Sequence, residues 1–257
     1  MTYSKFIYVC CALCFCGAPF TIDLSAQETI AESPLLPPAT ERQRDYKLLY
    51  KQDFENPASI KDFVMTDPKA WKLTQHDHGL ALHQSTQSDY KPPVRSPLNL
   101  ALIADKVFGD FTLEADILST GREVPHRDLC LFFGMQDPAQ FYYIHIASKG
   151  DAVAQNIHIV NNAPRVKITS KRTDGVEWGD AWHRIRLERT TADGLIRLFL
   201  NDMDNPIMEA KDTTFSSGYI GLGSFDDTGL FDNIKIWGPH MDVKRTPFFT
   251  RPAEKLQ

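Results

Sequence analysis

A period of two constrains this chain more than any other feature. From Tyr46 to Trp237 apolar and polar residues alternate in short runs, broken by Gly, Pro, Asn and Asp, and almost no stretch shows a 3.6-residue helical period. In "FTLEADIL" (111–118), Phe111, Leu113, Ala115 and Ile117 fall on one face and Thr112, Glu114 and Asp116 on the other. "DLCLFFGM" (128–135) is apolar on both faces and predicts a central strand. "WKLTQ" and "GLALHQ" flank Asp77-His78 as a hairpin, and Asp193-Gly194 marks another between "WHRIRLERT" and "GLIRLFLN". "YKLLYKQDFE", "FYYIHIAS", "QNIHIVN", "RVKITS", "GYIGLGS" and "LFDNIKIW" complete the set. About twelve strands on this spacing predict an all-β chain, a single sandwich larger than the ~100 residues of an immunoglobulin domain.

The ends of the chain read differently. Lys5 and the apolar run Phe6 to Phe20, followed by Leu24-Ser25-Ala26, have the form of a secretion signal over residues 1–26. The run falls short of the ~20 residues of a membrane span. The mature protein is therefore expected to be secreted or periplasmic, with no membrane attachment once the signal is cleaved. Residues 27–44, rich in Pro, Glu and Ser, read as a disordered linker. The sandwich is expected over 45–239 and an irregular tail over 240–257. Four of the five cysteines lie within the signal, so the mature chain keeps only Cys130 and has no disulfide framework. A net charge of −5 without a basic run argues against nucleic acid as a partner. A monomer is expected.

Four segments occur in a fixed order: "FGDFTLEADIL" (108–118), "WHRIRLER…GLIRLFLND" (182–202), "FSSGYIGLGSF" (215–225) and "FDNIKIWG" (231–238). Together they resemble the concanavalin A-like lectin/glucanase jelly roll, over roughly residues 48–238. The nearest flavour is the secreted bacterial branch labelled 3-keto-disaccharide hydrolase-like or family-16 glycoside-hydrolase-like. The resemblance implies a jelly-roll β-sandwich and a carbohydrate partner, an oligo- or polysaccharide. It also implies that the first and last strands lie side by side, so that Gln52-Asp53-Phe54-Glu55 neighbours Asp232-Asn233. Carboxylate and amide oxygens converging there would suit a structural Ca²⁺ held by Asp53 and Asp232.

Retaining glucanases of this fold carry a Glu-x-Asp-x-Glu ladder, and this chain has Glu114 and Asp116 without the third acid. The loop "TGREVPHRDLC" brings Arg122, His126 and Arg127 to a sandwich rim, where arginine can hold carboxylates. Tyr143 and His145 share one strand face and Asn156 and His158 share another; if the strands are neighbours, the four converge. In outline this resembles the jelly-roll alginate lyases, although their Tyr-Phe-Lys-x-Gly strand is absent. His145 or His158 is the expected acid or base, titrating near neutrality, with Glu114 or Asp116 assisting. Arg122, His126, Arg127, Tyr143, Asn156 and Trp178 are the expected substrate contacts. Trp178, in the Gly-rich "DGVEWGD", is expected to be the exposed stacking ring, and Trp182 a core residue. Asp226-Asp227 are assigned to turn geometry. Three readings stand open: a lectin-like binding module, an enzyme (a glycan or 3-keto-glycoside hydrolase, or a polysaccharide lyase), or a structural or interaction protein with the Pro-rich lead-in as a spacer.

Overall fold

The computed structural model describes residues 43–77 and 79–252. The signal, nearly all of the expected linker, His78 and the last residues of the tail lie outside the described residues. The first strands are β1 (Lys47–Gln52), β2 (Phe63–Met65), β3 (Trp71–His76), β4 (Gly79–Gln84), β5 (Asn99–Ile103) and β6 (Lys106–Phe108). The middle of the chain supplies β7 (Phe111–Ser119), β8 (Asp128–Asp137), β9 (Gln140–Ala147), β10 (Asn156–Asn161), β11 (Val166–Lys167) and β12 (Thr169–Arg172). The last third supplies β13 (His183–Thr190), β14 (Leu195–Leu200), β15 (Met208–Lys211), β16 (Tyr219–Ser224), β17 (Gly229–Gly238) and β18 (Met241–Val243).

These strands form two antiparallel sheets and a small ribbon. The larger sheet runs β12-β15-β14-β13-β7-β17-β4-β3, with β1 also paired to β17, and the smaller runs β11-β10-β9-β8-β16-β5-β2. Both expected hairpins form, β3 with β4 and β13 with β14. Between the sheets, Leu113, Ala115, Ile117, Ile185 and Leu187 from the larger meet Leu129, Leu131, Phe133, Ile144 and Ile146 from the smaller. The alternation read in β7 is the alternation found, inward positions buried and outward ones half-exposed. This is a jelly-roll β-sandwich of the concanavalin A-like type.

β8 needs cover on both faces because its outward residues Cys130 and Phe132 are apolar too. The cover corrects one expectation. The tail, expected to be irregular, contributes β18, paired with β6, and a bridge from Thr250 to Met65. Phe248 and Phe249 pack over the outer face of the smaller sheet with Val94 and Phe225. "RVKITS" is also not one strand: β11 joins the smaller sheet and β12 the larger, so the chain changes sheets at Ile168, which packs on the core.

β1 and β17 pair antiparallel, with Gln52 opposite Ile234, so the early and late strands do lie side by side. Along one edge β17 changes partner, from β4 at Gly229–Phe231 to β1 at Ile234–Gly238. On its other edge the ladder to β7 slips between Asp232, opposite Asp116, and Lys235, opposite Glu114. The extra residue is a β-bulge, and Asn233 within it has φ 51°, a left-handed conformation that asparagine tolerates better than most side chains. The Asp-Asn pair between apolar residues therefore marks the bulge, turned out of the core.

Candidate functional site

The bulge opens a depression on the outer face of the larger sheet. It holds about 460 Å³ and is lined by Asp116, Trp182, Arg184, Asn201, Asp232 and Asn233. Asp116 is set outward by the β7 alternation, and Arg184 lies opposite it on β13. Arg184 Nε donates to Asp116 Oδ1 at 3.2 Å, and Asn233 Nδ2 donates to Asp116 Oδ2 at 2.9 Å. Asn201, at φ 61° just past β14, accepts from the Arg184 backbone N–H at 3.0 Å. The half-buried Trp182 rests on Ala81, Leu118 and Leu230 and donates from Nε1 to His76 Nδ1 at 3.2 Å. Asp232 accepts from the Asn233 N–H at 2.7 Å. Burial pushes its carboxyl up to about 6, and the nearby Asp116, Glu55 and Asp53 push the same way.

Tyr143, His145, Asn156 and His158 do converge, on the outer face of the smaller sheet. Asn156 is opposite His145 and His158 opposite Tyr143, and the His158 and Tyr143 rings stack at 4.8 Å. They are not accessible, however: Tyr143 and Asn156 are fully buried, His158 is 1% and His145 4% exposed. Burial lowers His145 to about 4 and His158 to about 3, so both rings are neutral and neither titrates near neutrality as expected. Arg165 closes over them, donating to Tyr143 Oη at 3.0 Å and standing over the Phe225 ring.

Other expected site residues are corrected by their positions. Glu114 and Asp116 lie on the outer face of one sheet and the two histidines on the outer face of the other, with the whole core between, so they cannot assist one another. Glu114 lines a separate hollow with Tyr46, Arg186, Glu188 and Trp237. Arg127 is a buried clip: it donates to Ser119 Oγ at 2.9 Å, to the Ser119 carbonyl at 2.5 Å, to the Gly179 carbonyl at 2.9 Å and to Glu123. Trp178 is buried, with Nε1 on the Arg127 carbonyl at 3.0 Å, and so offers no stacking surface. Arg122 and His126 remain exposed on their loop.

Asp53 forms an ion pair with Lys51 at 2.9 Å, and that hydrogen bond lowers its pKa. Among the described residues, the carboxylates gathered closely enough to share an ion are Asp128, Asp226 and Asp227. The "SFDDTG" turn carries the chain from β16 to β17, from one sheet to the other, and sets Asp226 and Asp227 beside the start of β8.

Arg184, Asn201 and Asn233 have no place among the expected substrate contacts. Strand parity offers a signal for two lining residues, since Trp182 and Arg184 share the phase of Arg186 and Glu188, opposite to Ile185 and Leu187.

No protein-family model matches the sequence, and no curated protein matches it. Solved structures do. The carbohydrate binding module CBM66 from Bacillus subtilis is 18% identical, with a TM-score of 0.50 over 69% of this chain and 96% of the other. A putative glycosyl hydrolase from Parabacteroides distasonis is 15% identical, with a TM-score of 0.48 over 73% of this chain and 98% of the other. Domain 4 of an extracellular arabinanase from Geobacillus stearothermophilus, in complex with arabinotriose, is 12% identical, with a TM-score of 0.49 over 79% and 95%. At 18% identity the likeness to the binding module speaks for the fold alone, and that fold is the concanavalin A-like jelly roll.

Proposed function

We propose that this sandwich binds carbohydrate in the depression around Asp116 and Trp182. The observation that carries the reading is one open hollow combining an indole with two carboxylates, two amides and a guanidinium. Sugars present apolar C–H faces to aromatic rings and hydroxyls to carboxylate, amide and guanidinium groups. The volume falls within the ~300–1,000 Å³ of small-ligand sites. The histidine cluster is set aside because a glycan cannot reach side chains that are 0–4% exposed. The carbohydrate binding module that shares the fold supports the ligand class. Secretion, inferred from residues 1–26, would place the activity outside the cytoplasm, and the mass of the exported protein tests it.

Hydrolysis is a second reading, favoured by the unlike surroundings of two neighbouring carboxylates. Asp116 is ion-paired with Arg184, whereas Asp232 is pushed up to about 6. A carboxyl with a pKa nearer neutrality is the better donor of a proton to a leaving glycosidic oxygen, and a carboxylate oriented by a guanidinium can face the developing positive charge. The calcium implied at the Asp53–Asp232 seam finds few free ligands there, since Asp53 is held by Lys51 and Asp232 by the Asn233 N–H. A polysaccharide and oligosaccharide panel, 3-keto sugars included, tests both readings, with retention reporting binding and mass spectrometry reporting products. Retention without products leaves binding alone. Products that vanish in Asp232→Asn establish hydrolysis, and neither retention nor products rejects both.

A further inference from the structure

The start of β8 and the corner between β16 and β17 bring together oxygens of Asp128, Asp226 and Asp227, all within 4.8 Å of one another. The three are graded in exposure: Asp128 is fully buried, Asp227 half-buried and Asp226 exposed. Asp128 Oδ2 is accounted for, accepting from the Phe225 N–H at 2.7 Å and the Cys130 thiol at 3.2 Å. Among the described residues Asp128 Oδ1 has no hydrogen-bond partner. A buried carboxylate oxygen left without a donor is costly, and two further acids alongside make it more so.

A separate observation comes from β9. His145, 4% exposed, sets Nε2 at 3.5 Å from Asp128 Oδ2, and among the described residues neither of its ring nitrogens has a partner with hydrogen-bond geometry. A buried carboxylate oxygen and a buried imidazole, both without hydrogen bonds among the described residues, thus meet at one cluster of acids. The cluster is also closely walled. A Cβ on Gly121 would lie 2.5 Å from Asp227 Oδ1, while Asp227 Oδ2 accepts from the Asp128 N–H at 2.9 Å.

We propose that Asp128, Asp226 and Asp227 bind a divalent cation of the calcium class, with His145 against its inner side. Calcium takes six to eight oxygens, at about 2.3–2.6 Å, and accepts both monodentate and bidentate carboxylates. Three aspartates supply part of that shell. Water supplies the rest from the exposed side of Asp226, which is also the path of entry. The ion ties the corner between the two sheets to the start of β8. This site is independent of the carbohydrate reading.

The test is a calorimetric and thermal-melt titration of chelator-treated protein with Ca²⁺, and with Mg²⁺, Mn²⁺ and Zn²⁺ in parallel. One Ca²⁺ per chain and a raised melting temperature are expected. Asp226→Asn changes an exposed side chain and should fold, yet it should weaken Ca²⁺ binding by about tenfold or more. Asp227→Asn should act likewise, and Asp53→Asn should leave binding unchanged. No heat and no shift with Ca²⁺ would overturn the proposal. So would a response to Zn²⁺ or Mn²⁺ without one to Ca²⁺. A response lost in Asp53→Asn but kept in Asp226→Asn would overturn it too, placing the ion at the seam.

Discussion

Asp116 and Asp232 are direct cross-strand partners, and one amide lies between them: Asn233 Nδ2 is 2.9 Å from Asp116 Oδ2 and 3.4 Å from Asp232 Oδ2. Like charges facing across a strand pair are destabilising. They stand here because the bulge turns Asn233 between them and because Arg184 pairs with Asp116.

That pairing predicts a pH effect. Asp232 is raised from 3.8 to about 6 in the fold, so within that window the folded state holds a proton that the unfolded chain has released. Stability therefore falls as pH rises through the window. Asp232→Asn, which keeps an acceptor for the Asn233 N–H, should abolish this fall. Above the window it should melt higher by about 2–4 °C, the shift for ~1 kcal/mol in a domain of this size. A variant that melts lower than the parent at neutral pH would contradict this.

The two tryptophans should separate stability from binding. Trp178→Ala empties a buried site and removes a hydrogen bond to Arg127, and should cost about 3–5 kcal/mol in denaturant unfolding. Trp182→Ala should cost much less stability while weakening glycan binding about tenfold, the scale of one lost aromatic contact.

Arg127 joins Ser119, Glu123 and the loop carrying Gly179 from a buried position. Its removal strands several acceptors at once. Arg127→Ala should destabilise by about 3 kcal/mol, read as a lower denaturant midpoint, with glycan affinity per folded molecule unchanged.

His158 makes the opposite pH prediction to Asp232. Its ring is held neutral in the fold down to about 3, while the unfolded ring takes a proton near 6.5. The unfolded chain thus binds the extra proton, and stability is lost as pH falls through that window. His158→Phe, which fills the space against Tyr143, should lose less stability on acidification than the parent. Equal pH slopes in the two proteins would show that His158 is not buried neutral.

Local periodicity carried most of the strands into view, because an outward and an inward face must alternate wherever a sandwich has one wet side. β7 and the two hairpins follow directly. The convergence of Tyr143, His145, Asn156 and His158 also follows from parity once β9 and β10 are neighbours. Their burial does not, because the cover comes from Phe225, which stacks on His145, and from Arg165, which bonds Tyr143, and no local pattern records either contact. Trp178 is the same lesson. A Gly-rich loop suggests exposure, but the ring's hydrogen-bond partner lies 51 residues away. The bulge at Asn233 depends on β17 meeting three strands at once, which is a property of topology.

The most direct test of the carbohydrate reading is affinity electrophoresis of the purified protein against a panel of polysaccharides, run beside Trp182→Ala and Arg184→Ala. The account predicts that at least one polysaccharide retards the parent, and that both variants migrate freely on that polysaccharide while keeping the parent's circular dichroism. If no polysaccharide retards the parent, or both variants are retarded as strongly as the parent, the depression around Asp116 and Trp182 is not a glycan site.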